Sequence, residues 1–376
     1  MLKFLKDTVK HSFIYGLGNI ASKLIGFVLL PLYTAHLSPS EYGILAIVEV
    51  LGQILVSVFS FNISTAMMRW AADAKDERDR KSIIFTSLSF TLVIAVLLPV
   101  ILIPFSGNFS LLFFDSSKFG NYFLLLFLTS SLGIYNLIPL TIMRLRERSG
   151  IFAILNTIKF TITLLLNVYF IAYKGYGITG ILLSLLIGQL FLTIFSLPIV
   201  VKNIIPKFKF SILREMLLYG VPLVFSTIFT LVFTMGDRFV IKSISGDASV
   251  GFYSLGHKIA SVINVLILQS FQLGFLPIAY KKLGDADEKK FFSKVLTYYV
   301  LLLIFAALGL SLFGKEVLKT FALNKAYWVA YSVIPIISLA FVFKGIQYNF
   351  SLSFHYSKKT AYNALIVIIT AFINVA

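Results

Sequence analysis

Residues 12–36 read SFIYGLGNIASKLIGFVLLPLYTAH, an apolar run with a lysine near its middle. As a helix, a run of this length crosses the ~30 Å hydrocarbon core of a bilayer. Ser12, Gly16, Asn19, Lys23 and Gly26 follow at spacings of four, three, four and three, which puts them on one helical face. Lys23 stands about eleven residues in, or ~17 Å at ~1.5 Å per residue. A charge at that depth costs at least ~2.5 kcal/mol on insertion scales. Two readings follow. Either a partner neutralises Lys23 in a packed bundle, or its face of the helix lines a wet cavity, and the polar stripe favours the cavity.

The pattern recurs along the chain. Eleven apolar segments fall near 12–36, 43–64, 83–104, 121–142, 151–172, 178–201, 216–236, 250–277, 293–314, 328–350 and 360–376. Backbone polar groups inside lipid must satisfy one another, so repeated runs of this kind mean a helical bundle. The expected fold is an all-α polytopic membrane protein. Composition agrees: 58% of the 376 residues are hydrophobic and only 13% are charged, against roughly 25% charged in soluble domains. The first run is too long for a signal-peptide core and no small-x-small cleavage site follows it, so it reads as the first span. No loop is long enough to fold as a separate domain, which puts any ligand site among the helices. The last run stops at Ala376 without a flanking charge, so the eleven-helix count reads as incomplete.

Lysine and arginine collect in every second loop. One set holds Lys3, Lys6 and Lys10; Lys75, Arg78, Arg80 and Lys81; Arg144, Arg146 and Arg148; Lys202, Lys207, Lys209 and Arg214; Lys281 to Lys294; and Lys358 and Lys359. The alternate loops are poorer. This asymmetry predicts a cytoplasmic N-terminus. It also accounts for the net charge of +17 without nucleic acid.

A weak repeat divides the chain. Tyr15-Gly16 opens the first span and Tyr219-Gly220 the seventh. Each span leads to a short acidic loop and a glycine start, Ser40-Glu41-Tyr42-Gly43-Ile44 in one case and Gly246-Asp247-Ala248-Ser249-Val250-Gly251-Phe252 in the other. Six helices separate the copies, and an even number makes the halves parallel. The expected organisation is two pseudo-symmetric six-helix lobes around a central cavity. Residues 1–207 form the first lobe, and 208–376 form a second that looks truncated.

Other spans carry polar stripes too. They are Glu49, Gln53, Ser57, Ser60 and Ser64; Asn156, Lys159, Thr163 and Asn167; Pro222, Ser226, Thr230 and Asp237; and Ser254, His257, Lys258, Ser261 and Asn264. Serine and threonine alone are weak signals because they also join helices. Asp237, Arg238 and Lys344 lie near helix ends, where snorkelling is the ordinary explanation. Glu49 could pair with a lysine, carry a proton or face water. The deep charges are mostly cations, and a cation-lined interior suits an anion such as phosphate or pyrophosphate.

Enzyme chemistry finds no support. There is no cysteine, no His-x-x-x-His pair, and no G-x-x-x-x-G-K-[ST], H-E-x-x-H or G-x-S-x-G motif. No catalytic residue, cofactor or metal is expected.

Residues 19–46, NIASKLIGFVLLPLYTAHLSPSEYGILA, resemble the opening of the polysaccharide-biosynthesis (O-antigen) flippases of the multidrug/oligosaccharidyl-lipid/polysaccharide exporter superfamily. Residues 236–262, GDRFVIKSISGDASVGFYSLGHKIASV, resemble the matching region of the second lobe. The resemblance implies movement of undecaprenyl-pyrophosphate-linked oligosaccharide between leaflets of a bacterial inner membrane by alternating access, for surface polysaccharides such as lipopolysaccharide. It implies that basic residues on the first and eighth helices matter, which points to Lys23 and Lys258, both lysines where arginine is common. On this reading Lys23, Lys159 and Lys258 attract pyrophosphate. Asn19, Gln53 and Asn264 bond sugar or headgroup. Glu49 and Asp237 balance the cations or bind a coupling proton or sodium ion. Membrane lipids and a glycan polymerase are the expected partners. The rivals are a drug or cation antiporter of the same superfamily, which calls for an acid-dominated cavity, and a membrane glycan polymerase or acyltransferase, which favours a sizeable outer loop.

Overall fold

A computed structural model describes residues 27–272, 275, 279 and 287–356. Every regular element among these residues is helical. In chain order they are α1 (Leu30–His36), α2 (Pro39–Phe59), α3 (Ile63–Ala72), α4 (Glu77–Leu102), α5 (Ser106–Phe114), α6 (Gly120–Leu145), α7 (Ser149–Val168), α8 (Gly177–Lys202), α9 (Phe210–Met235), α10 (Asp237–Ala260), α11 (Glu288–Phe321) and α12 (Val333–Tyr356). The described parts of the second to tenth apolar segments are largely helical. Eight helical stretches among the described residues are long and apolar enough to cross a bilayer. Phe305 and Leu112 are 80% and 73% exposed, as side chains facing lipid would be. The eleventh segment, Tyr15-Gly16 and the first polar stripe lie outside the described residues, apart from the end of the first run.

Two elements break where periodicity alone continues them. The second segment bends at Phe61 and Asn62, both at φ 49°. Asparagine tolerates that left-handed conformation, but phenylalanine rarely adopts it. Ser64 therefore starts a new helix rather than extending the stripe of α2. Element α10 is two helical pieces joined at Gly246, whose φ of 76° needs glycine.

By contact the chain forms two compact units. One is Ile44–Gly236. The other joins the described parts of Asn19–Gly43 and Asp237–Ala376. Sequence order divides the chain differently, at 207/208. The difference lies in α9, which packs in the first unit, and in the residues up to Gly43, which pack in the second.

Glycines of the repeat explain both placements. In the first unit a Cβ on Gly220 would collide with the Phe61 carbonyl, so only glycine lets α9 cross there. In the second unit a Cβ on Gly43 would meet the Asp247 carbonyl, and one on Gly251 would meet the Pro39 carbonyl. The two helix starts thus approach reciprocally. Around this crossing, the Tyr327 hydroxyl donates to the Leu37 carbonyl at 3.0 Å. Thr34 donates to the Phe321 carbonyl at 3.1 Å and accepts from the Leu323 N–H at 3.2 Å.

The first unit has a core of Ile63, Met67, Ile84, Ile138, Ile142 and Met216, contributed by α3, α4, α6 and α9. Its basic loops gather at one end. Arg146 donates to Asn203 at 2.8 Å and to Glu77 at 3.1 Å. Arg80 also donates to Glu77, at 2.9 Å, and Lys209 pairs with Asp79. Asp79 sits in the polar first turn of α4, before the apolar run begins. Its hydrogen bond from Lys209 holds the carboxyl below the usual value of 3.8.

Candidate functional site

The second unit holds a cluster of charged groups around the two pieces of α10. Asp237 and Arg238 lie on the first piece, and the bend at Gly246 returns the second piece alongside. Tyr253 then donates its hydroxyl to Asp237. The Arg238 guanidinium bonds Asp237 at 3.2 Å and lies 5.6 Å from the Tyr253 ring centre. Arg238 is 7% exposed, so it does not snorkel. A buried guanidinium needs a paired carboxylate, and Asp237 supplies it. One turn beyond Tyr253, His257 stands between two rings, 6.0 Å from Tyr253 and 5.7 Å from Phe341 of α12. Lys344 is exposed, with its ammonium 5.8 Å from the Phe341 ring.

Lys258 is half-buried on the same piece of α10, and its ammonium stands 6.0 Å from the Tyr33 ring of α1. Asn264 is half-buried and opens a wide helical turn over Asn264–Gln269. Turns of this π type interrupt α-helices mostly at functional positions. Asp237, Lys258 and Asn264 all belong to the second unit.

Glu49, Gln53 and Lys159 belong to the first unit. Glu49 and Gln53 are exposed one turn apart on α2. Lys159 is half-buried on α7, with its stem beside Gly188 of α8. A side chain at 188 would collide with Thr163, so the glycine lets α7 and α8 approach there. Lys23 and Asn19 lie outside the described residues.

Several stripe residues bond their own helix. Thr163 donates to the Lys159 carbonyl at 2.9 Å, Asn167 to Thr163 at 2.7 Å and Thr230 to Ser226 at 2.8 Å. These bonds explain the side chains without a ligand. Periodicity missed the contacts that need a second helix. Asn136 of α6 donates to the side-chain and backbone oxygens of Gln189 on α8 at 3.0 and 3.1 Å, and accepts from Thr193 at 3.0 Å. Tyr253 was also missed, because an aromatic residue on an apolar face carries no polar signal. No group of three or more His, Asp or Glu among the described residues could hold a metal ion.

A family model described as polysaccharide biosynthesis protein matches residues 8–282, which is most of the chain. The chain belongs to the polysaccharide biosynthesis protein family. A search of curated protein sequences finds no match. Solved structures similar to this family member include the inward-facing form of a multidrug resistance MATE family transporter of the MOP superfamily. The two share 15% identity over 94% of this chain and 84% of that one, with a TM-score of 0.72. Lipid II flippase MurJ, in an inward closed conformation, matches at 18% identity over 96% and 80%, with a TM-score of 0.74. A MOP superfamily transporter from Pyrococcus furiosus, whose report describes a binding pocket of reverse polarity, matches at 15% over 98% and 94%, with a TM-score of 0.60. The polysaccharide biosynthesis protein described here therefore has the fold of these membrane transporters.

Proposed function

We propose that the protein flips undecaprenyl-pyrophosphate-linked oligosaccharide from the cytoplasmic to the outer leaflet of a bacterial inner membrane by alternating access. The observation that carries this reading is the family match over residues 8–282 on a fold shared with a lipid II flippase. Half-buried lysines in the spans support it, since cations suit a pyrophosphate headgroup. In this reading Lys23, Lys159 and Lys258 attract the pyrophosphate, and Asn19, Gln53 and Asn264 bond sugar or headgroup. Glu49 and Asp237 balance charge or take up a coupling proton or sodium ion; Asp237 does so beside Arg238. Residues 1–207 and 208–376 act as the repeat units of two lobes, with the N-terminus in the cytoplasm. Membrane lipids surround the protein, and a glycan polymerase takes the product.

Proteoliposomes carrying a fluorescent prenyl-pyrophosphate oligosaccharide test the reading. Reconstituted protein should move the label to the opposite leaflet, and Lys23→Ala and Lys258→Ala should each stop that movement while the protein still inserts. Movement at the rate of empty vesicles would overturn the proposal. Undiminished movement by both variants would remove these lysines from the mechanism.

A further inference from the structure

A second arginine cluster lies in the first unit, near its basic end. Arg69 and Trp70 sit in the last turn of α3, and Glu215 and Tyr219 sit on α9. The Arg69 guanidinium lies 5.5 Å from the Trp70 ring centre and 5.1 Å from that of Tyr219. The two rings meet edge to face at 5.6 Å, and the indole N–H donates to Glu215 at 3.0 Å. Arg69 is thus framed by rings that are themselves fixed. It is exposed, and among the described residues its guanidinium makes no hydrogen bond or ion pair. A cation–ring contact uses none of the N–H donors of a guanidinium, which stay available to a ligand. The edge they form matches the paired oxygens of a phosphate.

A hollow of about 410 Å³ lies beside the same segments, lined in part by Lys75, Arg78, Lys207 and Lys209. Ile212 also lines it. Residues 212, 215 and 219 are spaced three and four apart, so the hollow and the aromatic frame lie along one face of α9. Most acids here are already engaged. Asp76 caps α4 by accepting the Asp79 N–H at 2.6 Å, Asp79 pairs with Lys209, and Glu77 holds Arg80 and Arg146. Asp73 has no such bond among the described residues, and Asp76 and Glu215 accept neutral N–H donors without an ion pair. Arg69, Lys75, Arg78 and Lys207 carry no ion pair among the described residues. A bias of cations to one side of a membrane explains their presence. It does not explain why one of them, exposed and without an ion pair, lies against two rings that are held to each other.

We infer that Arg69, framed by Trp70 and Tyr219, binds the phosphate headgroup of a membrane lipid, with the adjacent basic hollow drawing the headgroup in. A lipid rather than a free anion is the ligand because the frame sits where an apolar core meets basic loops, the level at which Trp and Tyr mark the bilayer surface. This site stands apart from the transport reading, since its test is binding and needs no flipping.

The chain has two tryptophans, so Trp328→Phe leaves Trp70 as the reporter of its own site. In a maltoside detergent, which carries no phosphate, farnesyl phosphate should change Trp70 emission saturably, and farnesol should not. Arg69→Gln should weaken that binding about tenfold or more, as the loss of a two-pronged charge-assisted contact does. Arg69→Lys, which keeps charge but loses the fork, should fall between. The double variant Lys75→Gln/Lys207→Gln, on exposed positions, should weaken binding with the frame intact and serves where Arg69→Gln does not fold. Equal affinity in Arg69→Gln and parent, or an equal response to farnesol, would overturn the site. Inorganic phosphate binding as tightly as farnesyl phosphate would overturn the lipid assignment. Loss of binding in Arg69→Gln in a protein that moves no lipid-linked glycan would sink the transport reading and leave this one standing.

Discussion

Arg238 and Arg69 present the same side chain in opposite states. Both lie over aromatic rings, at 5.6 Å in one case and at 5.1 and 5.5 Å in the other. Arg238 is buried and spends its charge on Asp237. Arg69 is exposed and has no carboxylate partner among the described residues. Stacking alone therefore does not reveal a role. Whether the N–H edge is already taken separates an arginine that holds the protein together from one poised to hold something else.

That contrast makes the loss of a partner the most damaging change. Asp237→Ala strands a buried guanidinium and should cost about 3 kcal/mol, the low end for an uncompensated buried charge. Thermal unfolding of the detergent-purified protein measures it, and a midpoint equal to the parent's would mean Arg238 does not depend on Asp237. Gly251→Ala comes next. Its methyl group meets the Pro39 carbonyl, and overpacking of this kind costs about 1–3 kcal/mol. Gly43→Ala should match it, because the two approaches are reciprocal; a large difference between them would break that symmetry.

Asp79→Asn should cost about 1 kcal/mol or less, since the Lys209 pair lies near the surface. Its pH dependence has a definite sign. The folded-state value is lowered, so the contribution is complete above the ordinary value of 3.8 and disappears as pH falls through the lowered one. Comparing the unfolding midpoints of parent and Asp79→Asn at pH 7 and pH 3 should show a gap that narrows in acid. Smallest of all, Arg69→Gln should change stability by about 0.5 kcal/mol or less, as exposed positions do. A loss as large as that of Asp237→Ala would erase the distinction between the two arginines.

The helices were legible in the sequence because lipid demands long apolar runs, and the described parts of the runs from 43 to 350 are largely helical. The basic loops 75–81, 144–148 and 202–209 were legible as one end, which the Glu77, Arg146 and Asn203 contacts bear out for the first unit. The break at 61–62 was not legible, since no glycine or proline marks it. Residues 65–72 fell past the end of the apolar run, so Arg69 and Trp70 went unremarked. Arg238 read as a snorkelling end residue because its carboxylate neighbour and the Tyr253 ring come together only through the bend at Gly246. The glycine pair 43 and 251 was visible as a repeat, but its purpose, a contact between backbones, required three dimensions.

The break at Phe61 and Asn62 also divides the work of one strip of chain. Upstream, α2 carries Glu49 and Gln53. Downstream, the short rod α3 carries Arg69 and Trp70 in its last turn. Because Ile63, Ala66, Met67 and Ala71 are fully buried, the new direction taken at Phe61 and Asn62 is locked, and the tip is aimed once and held.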